Sequence, residues 1–140
     1  MIALRLVVDT NVFVSAALKP EGLQRSVVLL AITKPARLYV SPETLHEYRG
    51  VLSRPEFGIK KGVRRQLLDL VGSRGHLVHP SRQLEVTNDP NDNIFLECCE
   101  AARADYLVTG NTRDFPPFWK NTKIISSRQF LALAAPHLLG

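Results

Sequence analysis

Cysteine is scarce in this chain of 140 residues. There are two, Cys98 and Cys99, and they are adjacent. Neighbouring thiols cannot build a disulfide framework, and without a matching set of Cys and His they cannot form a zinc knuckle. They read as small core residues of a helix. Long apolar runs are also missing: no stretch approaches the length of a membrane span, so no membrane association is expected. No basic-then-apolar leader with a cleavage site opens the sequence, which makes the cytoplasm the expected location. Internal repeats, low-complexity tracts and linkers are absent too, so one domain over residues 1–140 is expected.

Acids are outnumbered, 13 against 18 Lys and Arg, for a formal net charge of +5. Such a balance favours polyanionic partners, nucleic acid above all. It gains meaning where the few acids gather, because a basic surface with one acidic point suits phosphate binding beside metal-assisted cleavage.

The first such point follows Leu6-Val7-Val8, an apolar run that drives straight into Asp9. A short β-branched run bounded by polar residues reads as a buried parallel strand, and Asp9 then stands at its carboxyl end, where open α/β sheets place ligands. Asp is also a favoured N-cap, so Asp9 could simply start the next helix. Further along, residues 23–33 carry Leu23, Val27, Leu30 and Ala31 at helical spacing, and 37–40 form a strand candidate. Ser41-Pro42-Glu43 starts a helix, with Ser capping, Pro first, and Glu43 set against the helix dipole; Glu47 lies one turn later.

Lys60, Lys61, Arg64 and Arg65 open another helix, either as a solvated face or as phosphate contacts. Leu77-Val78-His79 and Leu84-Glu85-Val86 read as extended pieces. In the polar stretch 87–93, Asp89 before Pro90 reads as a turn residue and Asp92 as the start of a small-residue helix through Ala102. Tyr106-Leu107-Val108 is a strand running into Thr109-Gly110-Asn111-Thr112-Arg113-Asp114, Lys123-Ile124-Ile125 is the last strand, and Ser126 caps a terminal helix. His46, His76, His79 and His137 show no ligand spacing, and Trp119 beside two prolines reads as a local hydrophobic plug. Strands alternating with helices predict an α/β domain with a mainly parallel sheet.

Parallel strands would open Asp9 and the 109–114 turn on one sheet edge. Carboxylates held together there repel unless a cation intervenes, and oxygen-only donors suit Mg²⁺ or Mn²⁺. Such a site can activate water and stabilise a phosphodiester in reaction.

Asp9-Thr10-Asn11-Val12, the helix around Glu47, Asp89-Pro90-Asn91-Asp92-Asn93 and Ala104-Asp105-Tyr106-Leu107-Val108-Thr109-Gly110, in that order, resemble the PIN-domain family. The group within it that is closest in pattern is that of VapC-like ribonucleases, toxins of toxin–antitoxin pairs. The resemblance, from Leu4 to Leu131, implies a three-layer α/β/α sandwich and a Mg²⁺- or Mn²⁺-dependent endoribonuclease acting on RNA. It also implies a cognate antitoxin protein as partner, and a homodimer is a further expectation. Asp9, Glu47, Asp92 and Asp114 match the family's acidic catalytic and metal positions, and Asn11 and Thr109 match polar supports. The family usually has Asp after the Thr-Gly turn, where this chain has Asn111, and Asp114 stands where a second acid is often found.

Two other functions compete. A dehalogenase-type phosphatase also places an Asp after its first strand, but it needs a second Asp where Asn11 stands. With Asn111 in place of an acid, an RNA- or protein-binding domain without cleavage is the stronger alternative.

Overall fold

The computed structural model describes residues 3–139. Its sheet has the order β3-β2-β1-β4-β6-β5, with β1 at Arg5–Val8, β2 at Arg37–Val40, β3 at His76–Leu77, β4 at Tyr106–Thr109, β5 at Phe118–Trp119 and β6 at Thr122–Ser126. Every pairing is parallel except β5 with β6. Parallel strands need both faces covered, and the middle strands show it: Leu6, Val7, Val8, Leu107 and Val108 are fully buried.

The cover comes from α1 (Thr10–Leu18), α2 (Leu23–Ala31), α3 (Pro42–Leu52), α4 (Lys61–Arg74), α5 (Pro90–Ala102) and α6 (Ser127–Ala134). Helix α5 crosses β1, β2 and β4, whereas α6 lies against β4 and β6, and α1 packs on α2, α3 and α4. This is the expected α/β/α layering around a mainly parallel sheet. No helix of the described residues is long and apolar enough to cross a membrane.

Local chemistry sets most element starts where the sequence put them. Ser41 caps α3 in a capping box closed by Thr44, with Pro42 in the first turn. Ser126 and Gln129 close a second box on α6. Cys98 and Cys99 are buried and free, and burial raises both thiols, Cys98 to about 12, so neither is reactive.

Two expectations need correction, and one strand is added at Trp119, which packs against the core as a plug would. Helix α5 begins at Pro90 rather than Asp92, because the Asp89 carboxylate accepts from Asn91 N at 2.9 Å and caps it. Asp89 is therefore a helix cap and not only a turn residue. Residues 84–86 join no strand: the Leu84 amide donates to the buried Glu97 carboxylate at 2.9 Å instead of to a ladder. Trp119 is half-buried in β5, an edge strand absent from the sequence reading, with Lys120 5.6 Å over its ring.

The chain leaves β1 toward β2 on one side, and β4 starts the other half of the sheet. The order therefore reverses between β1 and β4. In open α/β sheets the crevice at the carboxyl ends of two such strands is the natural ligand site.

Candidate active site

That crevice begins with two side chains that lie 100 residues apart in sequence. Register pairs Val8 with Val108, and Asp9 N continues the ladder by donating to Val108 O at 2.9 Å. Asp9 and Thr109 therefore leave their strands side by side. The Thr109 hydroxyl donates to Asp9 Oδ2 at 2.8 Å, and Thr10 N donates to Oδ1 at 2.7 Å. Asp9 is thus both the N-cap of α1 and a buried carboxylate aimed from the sheet edge. The alternatives set out for it, cap or site residue, are not exclusive. Asn11 secures the same edge, its side-chain oxygen accepting from Gly110 N at 3.0 Å.

Glu47 is brought in by its neighbour. Tyr48 is fully buried, its ring edge-on to Phe13 at 4.6 Å and tilted against Phe95 at 6.0 Å. Its hydroxyl donates to Val8 O, the last carbonyl of β1. Helix α3 is thereby pinned to the residue before Asp9, and Glu47 is carried to the cleft rim. Asp92 arrives on the first turn of α5, whose approach loop is held by Asn93: its side-chain oxygen accepts from Thr87 N at 2.8 Å, and its amide donates to Thr87 O at 3.2 Å. Asp114 ends the short 3₁₀ turn Thr112–Asp114.

Asp9, Glu47, Asp92 and Asp114 line one open cleft of about 370 Å³. All the acidic positions marked in the sequence are therefore gathered. Asp89, Arg54 and Phe57 line it as well, and sequence reasoning did not place them there. Asp89 had a readable signal, an Asp directly before a Pro at a helix start. Arg54 and Phe57 had none, being an ordinary polar-aromatic turn. Thr109 and Asn11 hold Asp9 and Gly110 as described, while Asn111 supports a neighbour: its amide donates to Asp114 Oδ2 at 2.9 Å. It occupies that position by fixing an acid rather than by facing the cleft.

The carboxylates act on one another. Asp92 is raised from 3.8 to about 6, first by burial and then by Asp89, Asp9, Asp114 and Glu47. Asp9 is also raised, burial leading, with the hydrogen bonds from Thr109 and Thr10 pulling the other way and Asp114 and Glu47 adding to the rise. Mutual elevation of this kind marks a place that would gain from positive charge. The donors are all oxygen, which fits a hard divalent cation. Among the described residues no three potential ligands already stand around one point, so waters would complete the shell, as suits Mg²⁺.

A mainly parallel α/β/α sheet with an acidic cleft at its switch point places the chain in the broad class of open α/β domains with a ligand crevice at the strands' carboxyl ends. The PIN domain model matches residues 5–113, and the chain belongs to the PIN domain family. It is 26% identical over 113 residues to an uncharacterized protein, MJ1680, of Methanocaldococcus jannaschii, covering 79% of this chain and 72% of that protein. Its fold is similar to the crystal structure of VapBC2 from Rickettsia felis bound to a DNA fragment from their promoter. The TM-score there is 0.61 at 22% identity, over 87% of this chain and 98% of that one.

Proposed function

We propose that this protein is a divalent-metal-dependent endoribonuclease, the toxin of a toxin–antitoxin pair, acting in the cytoplasm on RNA phosphodiesters. The observation that carries this reading is the convergence of Asp9, Glu47, Asp92 and Asp114 on one cleft at the sheet's switch point. Family membership and the likeness to a VapBC fold support it, and the net charge of +5 suits a polyanionic substrate. An antitoxin protein is the proposed partner, and self-association into a homodimer belongs to the same reading.

In this proposal Asp9, Asp92, Glu47 and Asp114 hold Mg²⁺ or Mn²⁺, which would supply charge stabilisation at the phosphate and a more acidic water. The protein's own residues prepare that site. Thr109 and the Thr10 amide keep the Asp9 carboxylate oriented and oppose the effect of its burial. Asn111 fixes the position of Asp114. Asp92, which titrates near 6, is ionised and ready for a cation at neutral pH.

The test is cleavage of single-stranded RNA by purified protein, with EDTA abolishing it and Mn²⁺ restoring it. Asp9→Asn is expected to remove cleavage without unfolding the chain, because Asn caps a helix about as well as Asp. Cleavage by Asp9→Asn at the parent rate would end the assignment. Metal-insensitive RNA binding without cleavage would favour the binding-only alternative that Asn111 raises.

A further inference from the structure

Arg54 and Phe57 line the acidic cleft yet serve none of the roles described above. Arg54 caps and Phe57 ends the 3₁₀ turn Pro55–Phe57 that follows α3. The turn is fixed by its backbone: Arg54 N donates to Val51 O at 3.1 Å, Phe57 N to Arg54 O at 3.2 Å and Gly58 N to Pro55 O at 3.0 Å. Gly58 closes it at φ 59°, a left-handed value that favours glycine. Phe57 packs against the core and also lines the cleft, where it is half-buried. Val14, Val51 and Phe95 also line the cleft but are buried, so Phe57 is the aromatic there that keeps accessible apolar surface.

Arg54 poses the matching question. It is exposed and shares the cleft with Asp9, Glu47, Asp89, Asp92 and Asp114. Among the described residues the ion pair is Arg82–Glu100, so no acid of the cleft holds Arg54 within pairing distance. A cation left unpaired beside acids is free for an anion from outside. A flat apolar face three residues away on a rigid turn matches the other chemistry of a nucleotide, its base. A base inside a duplex is stacked on both sides and cannot offer that face.

We propose that Arg54 and Phe57 form a nucleotide subsite beside the acidic cleft, Phe57 stacking on one unpaired base and Arg54 holding a phosphate of the same strand. The subsite selects single-stranded RNA over duplex. This inference rests on the ribonuclease reading, and its test separates the two.

Binding is measured by fluorescence anisotropy of a labelled single-stranded oligoribonucleotide, with Asp9→Asn as the non-cleaving parent in Mg²⁺. Phe57→Leu is expected to weaken single-strand binding about ten-fold, within the range for one stacked base, and Phe57→Trp to retain it. Arg54→Gln should lower the slope of log K against log[salt] by about 0.7, one single-strand phosphate contact. Replacing nucleotides one at a time by abasic sites should find one position that weakens binding to the parent but not to Phe57→Leu. The scan on the parent alone locates that position without any variant, and thermal unfolding of Phe57→Leu with a Tm near the parent's shows that its own scan reports on a folded protein. A duplex of the same sequence should bind more weakly and be indifferent to Phe57→Leu. Parent-like binding by both Phe57→Leu and Arg54→Gln, in a protein whose wild type cleaves RNA, would overturn the subsite and leave the ribonuclease reading standing. A wild type that neither binds nor cleaves RNA would overturn both.

Discussion

Replacing Asp92 by Asn should make the metal-free protein more stable at neutral pH while removing its activity. Asp92 titrates near 6 in the fold against 3.8 ordinarily. Between those values the folded protein binds more protons than the unfolded one, so stability falls as pH rises from about 4 to 6 and stays lower above. At 1.36 kcal/mol per pH unit, a difference of about 2 sets a ceiling near 3 kcal/mol. Asp92 is partly exposed, and water and salt screen much of that. Asn also forfeits about 0.3–1 kcal/mol of favourable charge at a helix N-terminus. Roughly 1 kcal/mol of net gain remains, a rise in Tm of about 4 °C for a domain of this size.

The assay is thermal unfolding in EDTA at pH 5 and 7.5, repeated with Mn²⁺. Wild type should lose stability between the two pH values and recover it with metal, by about 1.4 kcal/mol at ten times Kd. The variant should show a flatter pH dependence and little response to Mn²⁺. An Asp92→Asn protein less stable than wild type at pH 7.5 in EDTA would refute the reasoning, since the carboxylate would then be stabilising the fold.

Thr109→Val removes the hydroxyl that holds Asp9 down, so Asp9 should titrate higher; the acid limb of the pH–rate profile for RNA cleavage should move to higher pH. Tyr48→Phe deletes the buried bond to Val8 O and should cost about 2 kcal/mol in urea unfolding, the usual loss when a buried carbonyl keeps no partner. Asn111→Asp replaces a donor 2.9 Å from Asp114 by a like charge. Exposed pairs of this kind are worth up to about 1 kcal/mol, so the metal-free protein should lose roughly that in thermal unfolding and regain it with Mn²⁺.

Whatever depends on neighbours in sequence was open to reading without a structure. Leu6-Val7-Val8 had to be buried, Ser41 and Pro42 had to start α3, and Asp9 had to stand at a strand end, because burial, caps and turns act over a few residues. The PIN-like order of motifs carried the fold with it. The same local logic set the start of α5 two residues late at Asp92, and made a strand of 84–86, whose amide answers to Glu97 13 positions away. Tertiary structure alone decided that β1 and β4 meet at the reversal of strand order, which sets Thr109 on Asp9 across 100 residues. It alone turned Asn111 from a missing acid into the holder of Asp114, and put Arg54 and Phe57 in the cleft. The elevation of Asp92 belongs there in large part, since beyond the neighbouring Asp89 it arises from burial and from acids on three other segments, Asp9, Asp114 and Glu47. Electrostatic coupling follows distance through space, and the sequence records only distance along the chain.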